Sequence, residues 1–186
     1  MEKVYLFFAE GTEEVEALAV VDILRRAGIE TRIVSATGSK MVTGAHGIKV
    51  ETDMLTEDVD FSKAAMLVLP GGLPGAYNLE ANKDLAAGIM RHYEAGKPLA
   101  AICAAPLVYG RMGLLKGLKA TCYPGFEDNL EGAEYTGALV EEDGQFITGK
   151  GPAAAFEFGH AIVARLGGTE KADAVLNGML YNEISK

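Results

Sequence analysis

Short, wholly apolar runs alternate along this chain with longer segments whose apolar residues recur every three or four positions. Val4 to Ala9 is one such run, closed by Glu10-Gly11, as expected of a strand buried on both faces. Thr12 then has the side chain of a helix cap. Glu13 and Glu14 follow in the first turn, where the helix dipole favours acids and where both are expected to face water. Val15, Leu18, Ala19, Asp22, Ile23 and Ala27 keep helical spacing, and Gly28 is placed to end that helix. Thr31 to Ser35 predicts a second strand. Val42-Thr-Gly and Ile48-Lys-Val, joined through Ala45-His46-Gly47, predict a small hairpin outside the core.

The alternation then continues. Ala65 to Leu69 predicts a strand ending in Pro70-Gly71-Gly72, and Asn82 to Ala95 a helix closed by Gly96. Leu99 to Ile102 is the next strand, with Ala104 to Met112 the helix after it. Ala120 to Tyr123 and Gln145 to Thr148 predict further strands. A helix over Ala153 to Leu166 stops at Gly167-Gly168, and Lys171 to Tyr181 predicts a last one. Strands and helices at this spacing predict one doubly wound α/β domain over residues 1–186, with a mostly parallel sheet covered on both faces.

In such sheets ligands bind at the carboxyl ends of the strands. Three loops stand there: Glu10 to Glu16, Pro70 to Gly75, and the turn at Cys103. Around Cys103 the chain reads Leu-Ala-Ala-Ile-Cys-Ala-Ala-Pro, an apolar run that meets a helix start among tiny residues. Two readings stand. Cys103 is either a nucleophile whose thiolate the new helix's free N–H groups stabilise, ionising more readily than a free thiol, or a small buried hydrophobe. Gly71-Gly72 either turns backbone N–H groups toward an oxyanion or marks an ordinary tight turn. Glu16 is either a buried carboxyl that keeps its proton and donates a hydrogen bond to a thiolate, or a boundary residue reaching water.

His46, His92 and His160 are the only histidines, and none has ligand spacing to another. The sequence therefore names no metal centre, and no glycine pattern suits a phosphate or dinucleotide, so no cofactor is expected. His92 is expected on a solvated helix face and His160 half-buried with a partner. His46, on a loop, is either a contributor to the site or a turn residue. The formal charge of −9 disfavours a nucleic acid or an anionic membrane as partner. No apolar run is long enough to span a bilayer, and the acidic N-terminal stretch does not suit a signal peptide. Two cysteines suit a reduced, cytoplasmic protein.

Five motifs occur in order: Glu10-Gly-Thr-Glu-Glu-Val-Glu16, Arg25-Arg-Ala-Gly28, Val68-Leu-Pro-Gly-Gly-Leu-Pro-Gly-Ala-Tyr-Asn-Leu79, Ala100-Ala-Ile-Cys-Ala-Ala-Pro106 and Gly151-Pro-Ala-Ala-Ala-Phe-Glu-Phe158. Together they resemble the ThiJ/PfpI superfamily, specifically its Parkinsonism-associated deglycase branch. The resemblance implies a flavodoxin-like three-layer sandwich, assembled as a homodimer, with a nucleophile elbow at Cys103. It implies that Glu16 supports the thiolate and the sulfinate formed on mild oxidation, and that Gly71 and Gly72 form the oxyanion hole. Ala104, His46, Tyr123 and Arg26 are further candidates for the site. The implied activity is cofactor-independent glyoxalase or deglycase chemistry on a small aldehyde or glycated substrate, linked to oxidative and carbonyl stress. The alternative is a redox sensor or chaperone-like protein without turnover.

The departures narrow this. Ala104 stands where the protease and heat-shock glyoxalase branches carry histidine, and the Phe156-Glu157-Phe158 region lacks the late histidine of class I amidotransferases. Both chemistries need a base beside the thiol. Tyr123 precedes Pro124 where animal members carry histidine, and a tyrosine is a poor base at neutral pH. His46 falls where animal members carry arginine.

Overall fold

The computed structural model describes residues 2–183. In chain order the elements are β1 (Lys3–Phe8), α1 (Glu14–Arg26), β2 (Thr31–Ser35), β3 (Met41–Thr43), β4 (Lys49–Glu51), β5 (Met54–Leu55) and β6 (Ala64–Leu69). There follow α2 (Gly75–Ala81), α3 (Lys83–Glu94), β7 (Leu99–Ile102), α4 (Pro106–Arg111), β8 (Lys119–Ala120), β9 (Glu134–Tyr135) and β10 (Val140–Asp143). The chain closes with β11 (Phe146–Gly149), α5 (Ala155–Gly167) and α6 (Thr169–Gly178).

Seven strands form one sheet in the order β10-β11-β7-β6-β1-β2-β5. Every neighbouring pair is parallel except β10–β11 at the edge. β1, β6, β7 and β11 are buried almost throughout, which explains why they read as continuous apolar runs. Helices α1, α5 and α6 pack together as one layer, and α2 contacts both α3 and α4 in the other. The result is a flavodoxin-like sandwich. The order of strands reverses at β1, which lies between β2 and β6, so a crevice opens outside the carboxyl ends of β1 and β6. The β3–β4 hairpin stands apart from the main sheet, as its sequence predicted.

Several local readings need correction. The apolar stripe of α1 is Ala17, Val20, Val21, Ile23 and Leu24, while Val15 is exposed. Two stripes one residue apart both satisfy helical spacing, and the sheet chooses between them. Thr12 does not cap α1. Its Oγ1 accepts the Ala9 N–H at 3.0 Å and so closes the end of β1. Helix α2 carries no signal in the sequence, because glycine and proline precede it. Ala120 to Tyr123 does not continue β8. There the Thr148 hydroxyl takes the Thr121 N–H and the Cys103 carbonyl takes the Tyr123 N–H, so side chain and loop replace a strand partner. The antiparallel edge strand β10 was also missed, although Asp143-Gly144 is a hairpin signal.

Candidate active site

The crevice at the strand ends is lined by Glu16, Gly71, Gly72 and Cys103. Glu16 lies in the first turn of α1, and the residue is wholly buried. Oε2 accepts the Gly71 N–H at 2.8 Å. Oε1 is buried without a hydrogen-bond partner. The loop before α1 is fixed from several sides: the Glu13 N–H donates to the Gly71 carbonyl at 2.9 Å, and the Ala45 N–H to the Thr12 carbonyl at 2.8 Å.

Cys103 ends β7 with φ at 66°, a left-handed conformation unusual for a residue with a side chain. Strain of this kind costs on the order of 1–3 kcal/mol and persists only where the surroundings enforce it. Here they do so through both backbone groups: the Cys103 N–H donates to the Gly149 carbonyl and its carbonyl accepts the Tyr123 N–H, each at 2.8 Å. The residue is buried, with 8% of its surface exposed. A methyl group on Gly71 would lie 2.6 Å from the Cys103 Cβ and 2.8 Å from Glu16 Oε2, so only glycine lets strand β6 end against the thiol.

The two titratable groups are coupled. Burial pushes the Glu16 carboxyl up to about 7, opposed by its interactions with the Cys103 thiol and the Gly71 N–H. A carboxyl oxygen buried without a donor suits the protonated form. Burial also pushes the thiol above its ordinary value, and an ionised Glu16 pushes it further. Hydrogen bonds from the Gly72 and Ala104 N–H groups pull it down. The expectation of an easily ionised thiol is therefore corrected. Helix α4 starts only at Pro106 and has six residues, too short and too distant for its dipole to outweigh burial. The thiolate becomes favourable when Glu16 is neutral, because the carboxyl then repels nothing and offers a proton.

The glycine pair divides its work. The Gly71 N–H is already engaged by Glu16, so it is not a free oxyanion donor as the resemblance implied. The backbone N–H groups that favour the thiolate belong to Gly72 and Ala104. Ala104 thus enters the site through its backbone. Tyr123 is half-exposed, contacts Cys103 through its own N–H, and lays its ring beside Gly151. Arg26 is not brought to the site. It ends α1, ten residues and roughly 15 Å along the helix from Glu16, paired with Asp22 at 2.6 Å.

The histidines also find their places. His46 sits on the hairpin turn, and its Nδ1 is 2.9 Å from Glu14 Oε2. Glu14 is not a surface acid: it is 3% exposed, and its Oε1 accepts the His46 N–H at 2.8 Å and the Ile48 N–H at 3.3 Å. No sequence signal linked residues 32 positions apart. His92 is not solvated either. It is 2% exposed, its Nε2 is 3.0 Å from the Pro98 carbonyl, and burial depresses it to about 4. His160 is half-buried against Asp173 at 2.7 Å, as expected.

A strained thiol, a buried carboxyl and converging backbone N–H groups at the switch point of a doubly wound sheet define a cysteine-centred α/β protein. The sequence matches the DJ-1/PfpI family over residues 2–165, and the chain belongs to that family. It is 41% identical over 172 residues to protein DJ-1 homolog B of Arabidopsis thaliana, covering 91% of this chain and 39% of that protein. The chain thus spans about two fifths of that relative's length. It is 33% identical over 153 residues to the Thermococcus kodakarensis protein named Deglycase TK1284, covering 81% of this chain and 90% of that one. The solved structure of oxidized Toxoplasma gondii DJ-1 superposes with a TM-score of 0.93 at 33% identity, covering 97% of this chain and 98% of that chain.

Proposed function

We propose that the protein is a cysteine-dependent glyoxalase or deglycase-type enzyme acting on reactive dicarbonyls or their early adducts with thiols and amines. The observation that carries this reading is the wholly buried Glu16, bound to the Gly71 N–H at 2.8 Å, with Gly71 packed against both its carboxyl and the left-handed Cys103. The Cys103 sulfur adds to the aldehyde carbon of methylglyoxal. The thiol proton passes by way of Glu16 to the former carbonyl oxygen, so a hemithioacetal forms without a net charge. The Gly72 and Ala104 N–H groups hold that oxygen while it carries negative charge. Glu16 then moves a proton from the first carbon to the second, while the hydroxyl proton passes from the first carbon's oxygen to the second carbon's oxygen, which leaves a thioester of lactate. Water cleaves it, releasing lactate and restoring the thiol. The sum is methylglyoxal plus water to lactate.

The absence of a histidine beside the thiol supports this chemistry over peptide or amide hydrolysis. Ala104 occupies the adjacent position, and His46, His92 and His160 pair with Glu14, Pro98 and Asp173. A relative named as a deglycase adds support. The same reading makes the protein a cytoplasmic homodimer with a small aldehyde or glycated substrate. No helix among the described residues is long and apolar enough to cross a membrane, and Val15, Met41 and Ile48 expose apolar side chains on α1 and the hairpin. Methylglyoxal consumption is expected to vanish in Cys103→Ala and to fall steeply in Glu16→Gln. Unchanged rates in both variants would end the proposal.

A second reading, in which peroxide converts Cys103 to a sulfinate and the protein acts as a sensor or chaperone, rests on the accessibility of this one thiol. Cys122 is wholly buried, whereas Cys103 keeps a small exposed surface. Mass spectrometry after mild peroxide treatment is expected to find two added oxygens on Cys103 and none on Cys122. Equal oxidation of the two refutes a tuned site.

A further inference from the structure

We propose that Glu13, Glu14 and His46 form a zinc-binding site at the N-terminal turn of α1, beside the Cys103 crevice and built from different residues. The donor atoms are His46 Nδ1, Glu14 Oε2 and Glu13 Oε1, all within 4.8 Å of one another. Nδ1 lies 2.9 Å from the Glu14 oxygen and 3.6 Å from the Glu13 oxygen. Four-coordinate zinc with bonds near 2.05 Å keeps its ligand atoms about 3.3 Å apart. The two spacings to the imidazole straddle that value, so the ion fits with small side-chain adjustments.

The donors are not a loose surface group. They come from two segments 32 residues apart, and Glu14 is almost wholly buried. Its Oε1 is held by the N–H groups of His46 and Ile48, which leaves Oε2 directed at the imidazole. A methyl on Gly44 would collide with the Glu14 carboxyl, so the hairpin turn is shaped around it. This is the outer support that orients a metal-binding carboxylate. Among the described residues no lysine or arginine is ion-paired with Glu13 or Glu14; the imidazole is their one cationic partner. In the apo protein that imidazole shares a proton with Glu14. Zinc takes the place of this proton, which leaves to solvent, and the imidazole binds as the neutral ligand. The His46 side chain is 66% exposed, which gives a hydrated ion a way in and leaves the fourth position to water. Donors of mixed nitrogen and oxygen type suit zinc rather than magnesium or calcium.

The test is calorimetric titration of the full chain with zinc chloride in a Cys103→Ser background, because the thiol is itself a zinc ligand. One zinc per chain is expected, with affinity falling roughly tenfold or more in Glu13→Gln and in His46→Gln. Cobalt(II) provides the second readout: the visible bands of a four-coordinate ion, without a sulfur-to-metal charge-transfer band, that disappear in His46→Gln. Because His46→Gln also removes the partner of the buried Glu14 carboxyl, its metal-free unfolding temperature is measured first and the titrations are run on folded protein. No zinc uptake by the Cys103→Ser protein, or equal affinity in His46→Gln, overturns the site and leaves an ordinary ion pair. Neither result bears on turnover at Cys103.

Discussion

Replacing Glu16 by glutamine removes a titration without removing the side chain's shape, and the consequence for stability follows from one number. The unfolded carboxyl titrates near its usual 4.5 and the folded one near 7. The folded pKa is raised, so the stability linked to this group is complete below pH 4.5, drains as pH rises toward 7, and is gone above it. The difference of about 2.5 units corresponds to about 3 kcal/mol, at 1.36 kcal/mol per unit. The wild-type curve conceals this, because His92 runs the other way. Burial depresses it from 6.5 to about 4, so its contribution is present above pH 6.5 and is lost as pH falls toward 4. The comparison is therefore between urea unfolding of wild type and Glu16→Gln at half-unit steps from pH 4 to 8. The stability of the variant relative to wild type is expected to rise by about 3 kcal/mol across the window and then level off. A difference constant to within about 1 kcal/mol refutes a buried, proton-holding Glu16.

The remaining predictions concern neighbouring parts. His92→Gln is expected to remove the loss of stability on the acid side, about 3 kcal/mol between pH 6.5 and 4; an unaltered acid limb in urea titrations counts against the buried neutral imidazole. Gly71→Ala places a methyl 2.6 Å from the Cys103 Cβ, so turnover is expected to drop on the order of 100-fold, the cost of a misplaced catalytic group. Steady-state kinetics with the wild-type rate retained would contradict that geometry. Tyr123→Phe is expected to change turnover less than about threefold, because a phenol hydroxyl is a poor base at neutral pH; a loss on the order of 100-fold or more assigns the hydroxyl a chemical role.

The sheet was legible in the sequence because its central strands are buried on both faces. Runs such as Ala65 to Leu69 and Leu99 to Ile102 have no other reading at that length. Gly28 and Gly96 punctuated their helices correctly, each with the positive φ that follows a helix end. What periodicity could not give was the choice between adjacent stripes on α1, which is made by the sheet it meets. The edge strand β10 carries three acids and pairs on one side only, so no apolar alternation announced it. Within the site, spacing alone left Cys103, Glu16 and the glycine pair open, and the motifs' resemblance brought them together. The structure adds what neither gave. The Gly71 N–H serves Glu16, the Gly72 and Ala104 N–H groups favour the thiolate, and burial opposes it. Glu14 and His46 were invisible as a pair, since a contact across 32 residues leaves no local pattern.

The central claim is that a thiol supported by a neutral carboxyl turns over a dicarbonyl. Proton NMR of methylglyoxal incubated with wild type, Cys103→Ser and Glu16→Gln tests it most directly, because it reads the product and not merely loss of the aldehyde. The account predicts lactate accumulating beyond one equivalent per chain with wild type, none above the uncatalysed rate with Cys103→Ser, and a steeply reduced rate with Glu16→Gln. Aldehyde consumed without lactate, or lactate formed equally by all three proteins, would contradict it.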